Sequence, residues 1–273
     1  VIKVGTSGFR YADWKGVVYP EGIKSAEMLP YLEQEFGFHA SEINFTYYSM
    51  PGTRTFRSLA EKSSPGMDFS VKAHQTMTHR LPETAGERAD VFARFAGALQ
   101  PLEAEGKLAC VLAQFPYRFA PSPQAYSYLA ELRGGLAGLP VSIELRNAAW
   151  DKQHEALTAF LREHELGYCA VDLPRLEPLP RLQAEVTAEP AYLRLHGRNT
   201  NWFRAPASVR YDYLYSDEEL REFLPHIAEM ERRAAKTLVF FNNCHRGQAA
   251  LNGRTLLRML EEEGLLGELD KLT

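Results

Sequence analysis

The chain has 273 residues, 45% of them hydrophobic and 24% charged, enough to bury one large core. Its 31 Lys and Arg against 35 Asp and Glu give a net charge of -4, which excludes a uniformly basic nucleic-acid coat and leaves room for a local basic face. Three widely separated cysteines, Cys110, Cys169 and Cys244, exclude a disulfide framework and a paired-cysteine zinc site, and no run of about 18 apolar residues is present to span a membrane.

The first run, Ile2-Lys3-Val4-Gly5, has no charged leader and apolar segment before it, so a reducing cytoplasm is the expected location. In chain order, strands are predicted at Ile2 to Gly5, Ala40 to Asn44, Phe69 to Lys72, Ala109 to Gln114, Val141 to Glu144, Tyr168 to Asp172, Tyr192 to His196 and Leu238 to Asn242. Helices are predicted between them at 26-37, 53-62, 87-105, 122-133, 151-165, 217-234 and 248-263. Asp151 reads as a helix cap, and Ser216 with Glu219 as a capping box. Residues 173-190 carry Pro174, Pro178, Pro180 and Pro190, too many prolines for a crossover helix, so a loop is expected there. Alternating strands and helices force parallel pairing, and eight units close most naturally into a TIM-type (β/α)8 barrel forming a single domain over residues 1–273.

Strands buried on both faces usually read as continuous apolar runs, and these do not. Side chains alternate with period two, which sets Glu42 and Asn44 against Ile43, Ser70 and Lys72 against Phe69 and Val71, and Ser142, Glu144 and Arg146 against Ile143 and Leu145. The same alternation groups Ala170 with Asp172, and Tyr192 with Arg194 and His196; Gln114 and Asn242 end their strands similarly. The outward face of a barrel packs on helices, so these polar sets are expected to point inward, at the C-terminal strand ends where such barrels place their sites. Buried charges persist only when paired, wet or bound to a ligand, and a self-neutralising network of Glu42, Glu144 and Asp172 with Lys72, Arg146 and Arg194 competes with a functional pocket. In the loops that follow the strands basic residues outnumber acidic ones, although the whole chain is acidic, and all three tryptophans fall there with many tyrosines. A basic mouth draws anions, and aromatic rings stack on sugars or bases.

Several blocks match a known pattern: Gly5-Thr6-Ser7-Gly8-Phe9, Glu42-Ile43-Asn44 with Tyr47-Tyr48, Phe69-Ser70-Val71-Lys72, Gln114-Phe115-Pro116, Glu144-Leu145-Arg146, Arg194-Leu195-His196-Gly197-Arg198 and Phe241-Asn242-Asn243. In these the chain resembles, from end to end, the domain-of-unknown-function 72, or YecE-like, family. The resemblance implies a TIM-type barrel and no particular reaction. Some members have been likened to endonuclease IV-type barrels, an analogy of fold, since the zinc ligands of that enzyme are not reproduced here.

The leading expectation is an enzyme, of hydrolase, lyase or isomerase type, for a phosphate-bearing or otherwise anionic, ring-containing small molecule or nucleotide. Glu42, Glu144, Asp172 and His196 are the candidate acids and bases. Lys72, Arg146, Arg194 and Arg198 would hold the anion; Asn44, Gln114 and Asn242 would orient hydroxyls; Tyr47 and Trp202 would flank a ring; Thr6 and Ser7, with Gly8, would offer backbone N–H groups. No cofactor is expected. A divalent metal bound by His74, His196, Glu42, Glu144 and Asp172 is the alternative, opposed by the interleaved cations. Lys72 as a Schiff-base nucleophile is disfavoured because nearby carboxylates would keep its amine charged. A nucleic-acid phosphodiesterase and a non-catalytic ligand-binding protein are the competing classes. Oligomeric state is left open.

Overall fold

The computed structural model describes residues 1–267, apart from the side chains of residues 207 and 208. All eight predicted strands form: β1 (Ile2–Ser7), β2 (Ala40–Ile43), β3 (Asp68–Lys72), β4 (Leu108–Gln114), β5 (Val141–Glu144), β6 (Gly167–Asp172), β7 (Ala191–Leu195) and β8 (Thr237–Phe241). Each pairs in parallel with the next, and β8 pairs with β1, closing the barrel in chain order. Closure needs a glycine in β1, because a Cβ on Gly5 would lie 1.9 Å from the Ala40 carbonyl oxygen.

The helices are α1 (Met28–Phe36), α2 (Thr53–Lys62), α3 (Ala85–Ala104), α4 (Pro123–Gly135), α5 (His154–Glu163), α6 (Ala207–Arg210), α7 (Asp217–Arg221), α8 (Leu224–Arg233) and α9 (Gln248–Glu262). The segment expected as one helix over 217-234 is two, because Pro225 lacks an N–H and fits only a first turn, which starts α8 anew. Ser216 and Glu219 do form the capping box of α7. Asp151 does not cap: it sits inside a 3-10 turn, Ala148–Gln153, capped by Asn147, and its carboxylate accepts the Arg181 N–H at 2.9 Å. No helix follows β6, as the prolines require. Among the described residues no helix is long and apolar enough to cross a membrane.

Two apolar regions result. Outward residues such as Ile43, Phe69, Val111, Ile143, Leu193 and Val239 form the large core beneath the helices. Inward residues, among them Ala40, Cys110, Leu112, Cys169, Tyr192 and Phe240, fill the barrel itself. At its N-terminal end the interior is closed by Asp68 between Lys3 (2.9 Å) and Lys236 (2.6 Å). At the other end, register aligns Ser7 with Glu42, Glu42 with Ser70, and Gln114 with Glu144. Partners in parallel register point to the same face, so these polar side chains converge inside the open end.

Candidate functional site at the barrel mouth

The polar interior forms two storeys. In the lower one, Arg194 lies between two carboxylates: Nη2 meets Glu42 at 2.6 Å and Nη1 bonds Glu144. Arg146, two residues along from Glu144, bonds its other oxygen through Nε. The Tyr192 hydroxyl donates to Glu42 at 2.7 Å and also meets Ser70 at 2.8 Å. Glu42, Glu144 and His196 are fully buried and Arg194 is 1% exposed, so each charge relies on its neighbours. Burial raises the Glu144 carboxyl, but Arg146 and Arg194 override it and hold the group well below the usual carboxylate range. Burial and then Arg146 push His196 well below the ordinary imidazole value, so its ring is neutral. Asn242 Nδ2 lies 2.8 Å from its Nδ1, while its Nε2 lies 3.4 Å from Glu144 and 3.2 Å from Arg146 Nη2. Two carboxylates and two guanidiniums thus balance, and the lower storey is electrically closed.

The upper storey is a cavity of about 630 Å3 lined by Asn44, Tyr47, Lys72, Gln114, Arg146 and Asn242, with Tyr11, Asp13, Tyr48, Arg210, Tyr211, Cys244 and His245. Lys72 ends β3, and among the described residues its Nζ makes no ion pair or hydrogen bond; it lies 4.8 Å from the Tyr47 ring centroid. Burial, followed by the Arg194 charge, lowers the Lys72 amine to about 8. Glu144 and Glu42 pull the amine upward, as carboxylates near a lysine do, but burial and the neighbouring arginines outweigh them. Asn44 Oδ1 is buried without a partner. The side-chain N–H groups of Gln114 and Asn242 are spent on Phe115 O and His196, leaving their amide oxygens to accept. Beside this cavity runs a groove of about 660 Å3 between the loop after β1 and α2, sharing Tyr11, Asn44 and Tyr48.

The sequence candidates therefore separate. Six of them line the cavity; Ser7, Glu42, Glu144, Arg194 and His196 lie beneath it, with Ser7 Oγ 3.4 Å from Arg194. Asp172 is not inside. In β6, Cys169 and Val171 share the interior with Tyr192 and Arg194, so Asp172, in register with Leu195, faces outward. There it binds Arg198 Nε at 3.1 Å and accepts from the Tyr215 hydroxyl at 2.7 Å. Arg198 is likewise outside, bonded also to Glu219 and Glu222. Burial raises the Asp172 carboxyl above its ordinary value against the pull of Arg198 and Tyr215. Thr6 also faces outward, its hydroxyl donating to Gly8 O at 2.7 Å, and the Gly8 N–H is bonded to Thr6 O, so this loop does not offer the expected oxyanion nest.

The tryptophans are anchors. Trp14 and Trp150 donate to the carbonyls of Cys244 and Phe119, and Trp202, only 4% exposed, underlies Arg146 and Arg210, each 5.8 Å from its ring. Trp202 is thus packed against the two cations and is not among the residues lining the cavity. Cys244 and His245 were missed among the candidates, although their position just past β8 is the available signal. Among the described residues no cluster of three or more His, Cys, Asp or Glu side chains is spaced to hold a metal ion. The proposed metal set does not assemble, because Asp172 lies outside and His74 bonds Thr76 at 2.8 Å.

Fold and site define a TIM-type α/β barrel whose C-terminal mouth opens over a paired polar interior. The chain belongs to the family described as protein of unknown function DUF72, whose model matches residues 3–271. It is similar to the UPF0759 protein YunF of Bacillus subtilis, 26% identical over 96% of both chains. It is also similar to a solved DUF72 family protein of Thermotoga maritima, 41% identical with a TM-score of 0.88 over 95% of this chain and 99% of that one. D-psicose 3-epimerase, solved in the presence of D-fructose, superposes with a TM-score of 0.51 at 14% identity over 95% and 98% of the two chains, a likeness of fold alone.

Proposed function

We propose that the chain is an enzyme acting at the barrel mouth on a small anionic substrate that contains a ring and hydroxyl groups. One observation carries this reading: above a charge-balanced lower storey stands Lys72, a cation that the fold leaves unpaired. Burying an unpaired cation is costly, and a ligand anion would neutralise it. Arg210 adds positive charge to the same cavity, Arg146 offers further N–H donors there, Tyr47 and Tyr211 frame a ring, and the amide oxygens of Asn44, Gln114 and Asn242 accept from hydroxyls. Because Glu42 and Glu144 are held by arginines and His196 is neutral and buried, proton transfer falls to Lys72, whose amine at about 8 populates both forms near neutral pH.

The test is calorimetry and native mass spectrometry with inorganic phosphate, a sugar phosphate and a nucleoside monophosphate. Saturable binding is expected, weakened about tenfold or more by Arg146→Ala through loss of a charge-assisted contact. Binding confined to oligonucleotides, with a steep loss on adding salt, would overturn the reading in favour of a nucleic-acid enzyme. Saturable binding with no product from any bound compound would reduce it to a ligand-binding protein.

A further inference from the structure

We infer that Lys72 is a nucleophile: its amine condenses with the carbonyl carbon of a phosphorylated aldehyde or ketone seated in the mouth cavity, forming a protonated Schiff base. The inference rests on the mouth being a small-anion site and adds to it a covalent step and a carbonyl in the substrate.

Three structural facts converge on this role. The side chain sits at the open end of β3 and lines the cavity, so a ligand can reach it. Its register partner on β4 is Leu112, which offers no hydrogen-bond acceptor. Each nearby carboxylate is engaged elsewhere, Glu42 by Arg194 and Tyr192, Glu144 by Arg146 and Arg194. The charged groups around the amine are Arg194 from β7, Glu144 and Arg146 at the end of β5 and Glu42 from β2, with His79 from the loop after β3, lowered to about 4 by burial, neutral beside them. With its amine at about 8, roughly a tenth of the side chain is unprotonated at pH 7, against well under a hundredth for an ordinary lysine.

The chemistry balances without an oxidant. The amine lone pair forms the C–N bond while the carbonyl π pair moves to oxygen, which takes a proton. The nitrogen then loses a proton to water, giving the neutral carbinolamine. Its hydroxyl takes a proton back from water and leaves as water while the nitrogen lone pair forms C=N, which gives the iminium directly, its nitrogen still bearing one hydrogen. Arg146 and Arg210, which line the same cavity, hold the phosphate and so fix where the carbonyl lies.

Pyridoxal 5'-phosphate supplies aldehyde, ring and phosphate in one probe. Incubation with the intact protein, borohydride reduction and peptide mass mapping are expected to give one dominant adduct, on Lys72. Lys72→Arg should lose that adduct, pyridoxal without phosphate should react about tenfold less, and the rate should climb with pH through about 8. Adducts spread over other lysines with Lys72 unmodified would overturn the inference. Pyridoxine 5'-phosphate, which has the ring and the phosphate but no carbonyl, reads the anion site separately by calorimetry. If it binds while Lys72 stays unmodified, the Schiff base falls and the anion site stands. If it fails to bind while pyridoxal and its phosphate label Lys72 equally, the nucleophile stands and the anion site falls.

Discussion

Lys72 carries a charge that the fold does not neutralise, and a pH dependence follows. Its amine is lowered by burial from 10.5 to about 8 in the folded chain. Below about pH 8 the native state bears the protonated amine at a cost relative to the unfolded state. Between about 8 and 10.5 the native amine sheds its proton while the unfolded one keeps it, so stability rises with pH across that window. Lys72→Met is expected to be more heat-stable than the parent near neutral pH, by on the order of 2 kcal/mol, with the gap narrowing by pH 10. Thermal unfolding at both pH values measures this; a destabilised variant at neutral pH would contradict it. Glu144→Gln should do the opposite, because it leaves Arg146 and Arg194 short of a buried countercharge, at a cost of about 3–5 kcal/mol, visible as a lower denaturation midpoint.

At the scale of elements, the β6 to β7 connection shows how a barrel manages without one crossover helix. The outer end of β6 is covered by a polar clamp: Asp172 holds Arg198, Arg198 reaches Glu219 on α7 and the adjacent Glu222, and the Tyr215 hydroxyl both donates to Asp172 and accepts the Gly197 N–H. Asp172→Asn should therefore lower the melting temperature and leave phosphate binding at the mouth unchanged; a loss of affinity without a loss of stability would put Asp172 back among the functional residues. The capping box that starts α7 is an independent contribution, and Ser216→Ala should cost about 1 kcal/mol by denaturant unfolding.

Across the whole molecule, the two ends of the barrel do different work. The N-terminal end is plugged by Asp68 with Lys3 and Lys236, while the C-terminal end keeps a cation unpaired above a neutral layer. Stability should map to the first and ligand binding to the second. Asp68→Ala is expected to cost about 3 kcal/mol in chemical denaturation, since two lysines lose their shared partner, and to leave calorimetric binding of phosphate intact.

Periodicity alone sufficed for the eight strands, for their parallel order and for the missing helix after β6, because alternation and proline are local properties of the chain. It also placed six of the cavity-lining residues, since parity within one strand is local too. What alternation does not contain is which face of a given strand is inside. In β6 the polar residue went outward because, with no helix there, its outer face is met by Arg198 and Tyr215 instead of an apolar surface. Nor can a linear pattern show who pairs with whom: Arg194 and Glu42 are separated by 152 positions in the chain and meet only when the barrel closes. That closure paired both interior glutamates with arginines and left the Lys72 amine without a partner, so the composition of the interior was written in the sequence while its pairing was decided by long-range contacts.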